Sequence, residues 1–199
     1  QGPGAKGTEN RLHLAIDLVK LHLIPIRVTD EHEGEHLGHY PLQNGDVVVM
    51  DRGYNQAQMW IDQADQGVSL IVRYNPHSLN LYDADGQNID VEAVLRTTSA
   101  MELCQPVQVR SPKKEFIEGY LHARRLPPAQ AAQARQRARA QARKKGRTVQ
   151  QRTLALAEWV LIFTTLAPEV LPTETAMALY RVRWQVELVI KRLKSILNI

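Results

Sequence analysis

Val47, Val48, Val49 and Met50 run without a polar break into Asp51, and few stretches constrain a fold more tightly. The run is rich in β-branched residues, follows the turn signal Asn44-Gly45-Asp46, and is too short for a helix, so it reads as a strand buried on both faces. The acid therefore closes a buried strand, and the carboxyl edge of an open α/β sheet is where such folds hold their ligands.

The neighbouring sequence supports the same architecture. Residues 55–66 have helical character with Gly67 as the stop, and Val68 to Tyr74 reads as another strand. Strand, helix and strand over so few residues imply a parallel pair. Residues 11–29 alternate apolar and polar positions in two runs, predicting a hairpin at one side of the sheet. Residues 158–165 form a second buried strand, and Pro168 and Pro172 precede a final helix running from about Thr173 to the end. Between these segments, residues 75–126 carry short strand and turn signals. Pro127-Pro128 then opens a helix on which Arg135, Arg139, Arg143 and Arg147 recur every four residues, with Gly146 ending or fraying it. The expected organisation is a core of residues 1–74 and 151–199 interrupted by a β-rich and basic helical insertion, residues 75–150. No repeat of 20 to 50 residues is visible, which excludes solenoids and propellers.

Composition narrows the setting. A chain of 199 residues with 44% apolar content can fill one core. The single cysteine, Cys104, excludes an internal disulfide and fits a reducing compartment, and no apolar run approaches the roughly 18 residues a membrane span needs. The expected location is the bacterial cytoplasm, at the nucleoid when bound to DNA, with no membrane partner. Formal charge is only +4, but residues 119–157 contain no Asp or Glu and hold ten of the 25 Lys and Arg, a local basic stripe suited to a polyanion. The start, QGPGAKGTENRLH, shows no signal peptide and no initiator Met, and reads as the start of a fragment.

On a wheel of about 100° per residue, Leu179, Val182, Val186, Val189, Leu193, Ile196 and Leu197 form one apolar face of the last helix. Tyr180, Arg183, Glu187, Lys191 and Lys194 fall beside it within roughly 80°. Alone, these charges are i,i+4 ion pairs on a solvated face, each contributing about 0.2 to 0.5 kcal/mol. Together with DRGY at Asp51, however, the pattern Y..R...E......K from Tyr180 to Lys194 resembles the DDE transposases of bacterial insertion sequences, specifically the IS-four-type family. The resemblance covers nearly the whole chain: GTENRLHLAIDL and TDEHEGEHL are similar to the approach to the family's second acid, and EWVLIFTTL to its last sheet strand.

That resemblance implies an RNase-H-like mixed α/β sheet flanked by helices, and an enzyme that cuts transposon ends and joins them to target DNA. It implies Asp51 and Glu187 as catalytic, metal-holding acids for Mg²⁺ or Mn²⁺ in a two-metal site. Tyr180, Arg183 and Lys194 would contact DNA, joined by Arg135, Arg139 and Arg143 of the basic helix. The implied partners are transposon-end and target DNA, with a homodimer in a synaptic complex. Hard divalent cations choose oxygen ligands and keep waters that become nucleophiles, which is why the acids are needed. A third acid is required; Asp17 is one candidate, and an acid on a strand upstream of the chain is the other and the preferred one.

Two rival readings stand beside this. His32, Glu33 and His36 satisfy the H-E-x-x-H zinc-peptidase pattern with His39 nearby, although Gly34 and Pro41 leave little helix to carry it. Alternatively the chain is a non-catalytic DNA-binding remnant whose basic helix contacts phosphates. Trp60, Trp159 and Trp184 are expected as core anchors, and His13, His22, His77 and His122 as ordinary surface or packing residues.

Overall fold

A computed structural model describes residues 11–20, 22–29 and 36–197, several of them by backbone alone, Glu187 and Lys194 among these. Strands β3 (Val47–Met50) and β4 (Ser69–Arg73) are parallel and joined by helix α1 (Ala57–Asp65), as the sequence predicts. Gly67, with φ +79°, supplies the left-handed turn after α1 that side chains disfavour. Strand β9 (Trp159–Thr164) pairs antiparallel with β4.

The region between them extends this same sheet. The two-residue strands β5 (Leu81–Tyr82) and β6 (Asn88–Ile89) precede helix α2 (Val91–Thr97), and β7 (Glu102–Arg110) and β8 (Phe116–Arg125) form a long hairpin. The sheet order is β3-β4-β9-β8-β7-β5-β6, so strands from both sides of residues 75 and 150 share one sheet. Basic helix α3 (Pro128–Lys144) starts with Pro at its first turn, where the missing N–H is harmless, and α4 (Gln151–Leu156) follows. Helix α5 (Thr173–Val182) and helix α6 (Trp184–Leu197) close the chain.

Alternation along the strands divides the apolar side chains between two cores. Leu70, Val72, Leu121, Leu161 and Phe163 join Trp60 of α1 on one face, where the Trp60 and Phe163 rings stack at 4.8 Å. Ile71 and Ile162 face the other way, onto Leu171, Ala176 and Met177 beneath α5. The result is a mixed sheet flanked by helices, the RNase-H-like arrangement expected.

Several local expectations need correction. The hairpin β1 (Arg11–Asp17) and β2 (His22–Thr29) forms, but as a two-stranded sheet of its own. β3 is not buried on both faces: among the described residues it is the edge of the sheet, with Val47 51% exposed. The final helix is interrupted at Arg183, although neither Pro nor Gly stands there. Trp60 and Trp159 are core anchors, whereas Trp184 is 59% exposed.

Candidate active site

Sheet geometry places Asp51. Met50 pairs with Val72, so Asp51 and Arg73 emerge side by side at the carboxyl ends of two parallel strands. Val49 and Ile71 face the α5 side, and the period of two sends Asp51 and Arg73 to that side as well. Asp51 caps a single turn of 3-10 helix, Arg52–Tyr54, by accepting from the Arg52 N–H at 2.7 Å. Asn55 locks this turn in place: buried, it donates to the carbonyls of Arg52 and Arg73 and accepts from the Asn75 N–H at 2.9 Å. Trp60 Nε1 donates to the Tyr54 carbonyl, tying the turn to the core.

Helix α5 brings the second motif to the same place. Its apolar face packs on Ile71 and Ile162, and Tyr180 near its end donates from Oη to Asp51 Oδ1 at 3.1 Å. Arg183 Nη1 lies 3.4 Å from Asp51 Oδ2. Two residues of the Y..R...E pattern therefore converge on the DRGY acid. Arg183 pairs across the fold with Asp51, which an isolated helix face could not predict.

Arg73 completes the cluster. Its Nη2 donates to the Trp159 carbonyl at 3.3 Å, and its guanidinium lies 5.6 Å from the Tyr180 ring centroid, which Arg183 also approaches at 5.4 Å. Burial, then the neighbouring Arg52 charge, pulls the Arg73 guanidinium down to about 10, so it stays charged at neutral pH. Burial, followed by the Asp51 charge, raises the Tyr180 phenol above its ordinary value, which keeps Tyr180 a hydrogen-bond donor. Sequence patterns alone do not single out Arg73 or Asn55. The signal that finds them is the β3/β4 register, which sets Arg73 beside Asp51 and Asn55 under both.

The remaining predicted residues separate. Arg135 turns inward to an ion pair with Glu158, whereas Arg139 and Arg143 are exposed on α3. Helix α3 leaves the sheet at the Asp51 edge, because Arg125 at the end of β8 pairs with Trp159 at the start of β9, and β9 runs antiparallel to β4. Glu187 lies in the first turns of α6 and Lys194 further along it, but both side chains are outside the described residues. Asp17 accepts from the Val19 and Lys20 N–H groups at 2.9 Å and pairs with Lys20, so its carboxylate serves the β1–β2 turn. The backbone bond from Lys20 is also what lowers its titration below the usual carboxylate value. Residues 32–35 of the H-E-x-x-H pattern lie outside the described residues. His36 is described: its Nδ1 accepts from the Gly38 N–H in a 3-10 turn, Leu37–His39.

As a cation site the described residues offer Asp51, whose hard oxygens suit a divalent ion and whose side chain is 47% exposed. Among the described residues, no three His, Cys, Asp or Glu side chains group closely enough to hold one metal ion. None of the described helices is long and apolar enough to cross a membrane.

A mixed sheet flanked by helices, with an acid at a strand's carboxyl end held by a Tyr and an Arg three residues apart, is the arrangement of an RNase-H-like domain. The chain belongs to the transposase DDE domain family, whose family model matches residues 2–199. It is 30% identical over 203 residues to the putative transposase InsL for insertion sequence element IS186A of Escherichia coli K12, a match covering 99% of this chain and 55% of that protein. The transposase for insertion sequence element IS421 of Escherichia coli matches with the same identity and coverage. The chain thus spans about half the length of these curated relatives. No solved structure is significantly similar to it.

Proposed function

We propose that the chain is part of an insertion-sequence transposase that cuts transposon ends and transfers the cut strands to target DNA. The observation that carries this reading is the meeting of Tyr180 and Arg183 with Asp51, the Tyr180 bond alone spanning 129 positions of sequence. In this reading residues 75–150 are the insertion within the catalytic core.

Asp51 and Glu187 would hold the divalent ions, Mg²⁺ or Mn²⁺, which supply an activated water or 3′-hydroxyl and stabilise the departing oxygen. Asp51 is suited to this because β3 and the Asn55 lock fix its backbone. Tyr180 orients one carboxylate oxygen by donating to it. Arg183 and Lys194 would hold phosphates near the cut, and Arg139 and Arg143 would track the duplex along α3; such contacts position DNA without reading sequence. The partners are transposon-end and target DNA, with a homodimer in the synaptic complex and the nucleoid as place of action.

Iron-directed cleavage tests the site without needing turnover. Fe²⁺ bound at Asp51, with peroxide and ascorbate, should cut the backbone both near 51 and near 187, and Asp51→Asn should remove both cuts. Cuts near 51 alone would mean that Glu187 does not share the metal.

One observation favours the second reading, a DNA-binding remnant: both Asp51 oxygens already have partners in Tyr180 and Arg183. DNA affinity that falls steeply with salt and never responds to Mg²⁺ would support that reading.

A further inference from the structure

We infer that Arg183 is a latch on Asp51: its ion pair and a divalent cation on the same carboxylate exclude one another, so metal loading releases Arg183 to a DNA phosphate. The inference rests on the metal-binding role proposed for Asp51.

The two oxygens of Asp51 are held in different ways. Oδ1 accepts from two neutral donors, the Tyr180 hydroxyl and the Arg52 N–H, which take up both of its lone pairs, so a metal has to approach through Oδ2. Oδ2 faces a full positive charge 3.4 Å away on Arg183. A magnesium-type ion binds oxygen at about 2.0 to 2.1 Å, so it would compete with that guanidinium for the same charge and the same space.

Arg183 is built to exchange. It occupies the one position between α5 and α6 where the helical run is interrupted, its N–H bonding back to the Tyr180 carbonyl in a tighter turn. From that break its guanidinium reaches Asp51 past the Tyr180 ring, whose centroid is 5.4 Å away. A guanidinium leaving a carboxylate takes a phosphate with the same bidentate geometry. Arg73 and Arg52 stay behind, so once a metal has replaced Arg183 the edge carries excess positive charge that only an anion such as the DNA backbone relieves. Metal and DNA should therefore bind with positive coupling.

The test is Mn²⁺ binding to the full 199-residue chain, read from the loss of the free-ion electron paramagnetic resonance signal, with circular dichroism confirming that each variant folds. Arg183→Gln should tighten Mn²⁺ on the order of five- to tenfold, Arg183→Lys less, and a short DNA duplex should tighten it in the unmodified chain but not in Arg183→Gln. Arg52→Gln removes the same charge nearby without touching the Asp51 side chain. Equal tightening by Arg52→Gln, or no tightening in Arg183→Gln, overturns the latch. Mn²⁺ detected only in Arg183→Gln would support it in its strongest form. Asp51→Asn separates the two levels: if it binds Mn²⁺ as well as the unmodified chain, the metal role of Asp51 fails along with the latch.

Discussion

Tyr180 on α5 donates its hydroxyl to Asp51 at the end of β3, 3.1 Å away, and this single bond ties the last third of the chain to the first strand of the main sheet. The bond forms because two independent periodicities agree. The strand's period of two turns Asp51 toward α5, and the apolar face of α5 on Ile71 and Ile162 sets Tyr180 above it. The acid's orientation is thus fixed by core packing, before any ligand arrives.

Replacing Tyr180 by Phe keeps the ring against the second core and removes only the hydroxyl. A hydrogen bond to a charged group is worth roughly 1.5 to 3 kcal/mol when buried, and the solvent access of Asp51 brings the expected loss down to about 1 kcal/mol. Urea unfolding at neutral pH should show a lower midpoint with an unchanged slope. A change of slope would instead indicate that Tyr180 shapes the unfolded chain.

Gly119 in β8 should be far less tolerant. A Cβ built there would lie 2.4 Å from the Thr164 carbonyl oxygen and 2.6 Å from the Phe163 ring, neither of which can move without disturbing β9. Gly119→Ala should destabilise by about 3 kcal/mol through overpacking, measured by the same unfolding experiment. Stability within about 0.5 kcal/mol of the parent would show that β8 and β9 are not packed this closely.

These two positions show what the sequence reveals and what it conceals. The strands ending in Asp51 and Arg73, helix α1 with its Gly67 stop, and β9 were all legible, because each is a continuous local pattern bounded by a turn residue. So were the two motifs, as patterns. Their meeting required the sheet order, and Arg73 and Asn55 needed the β3/β4 register, which no window of sequence contains. Helix α2 was missed because seven residues give too short a period to detect, although Asp90 caps it by accepting from the Glu92 and Ala93 N–H groups. The interruption at Arg183 was invisible for another reason: neither Pro nor Gly marks it. The even spacing of Arg135, Arg139 and Arg143 likewise concealed that Arg135 has a partner in Glu158.

That partner separates the arginines of α3 by experiment. Arg135→Ala leaves Glu158 partly buried without its cation and should lower stability by about 1 kcal/mol. Arg139→Ala and Arg143→Ala, on the exposed face, should leave stability within about 0.5 kcal/mol. If these two touch phosphates, each should reduce the slope of log affinity for DNA against log salt by about 1. Fluorescence anisotropy of a labelled duplex across a salt series measures it, and slopes for Arg139→Ala and Arg143→Ala unchanged from the parent would remove α3 from the DNA path.

His122 offers a test of the packing beneath α5. It is fully buried on β8, its Nδ1 lies 2.8 Å from Thr173 Oγ1 at the start of α5, and its Nε2 lies 3.8 Å from Cys104 Sγ. Burial lowers its titration below the ordinary 6.5, so the folded chain holds it neutral in conditions where the unfolded chain takes up a proton. The unfolded state then binds more protons, and stability falls as pH drops below 6.5 toward the folded value. His122→Gln retains groups able to bond Thr173 but cannot titrate. Unfolding measured at pH 7.5 and at pH 5 should therefore show a larger acid loss in the parent than in the variant, with the other histidines cancelling in the comparison. Equal losses would mean that protonation reaches His122 without opening the contact between β8 and α5.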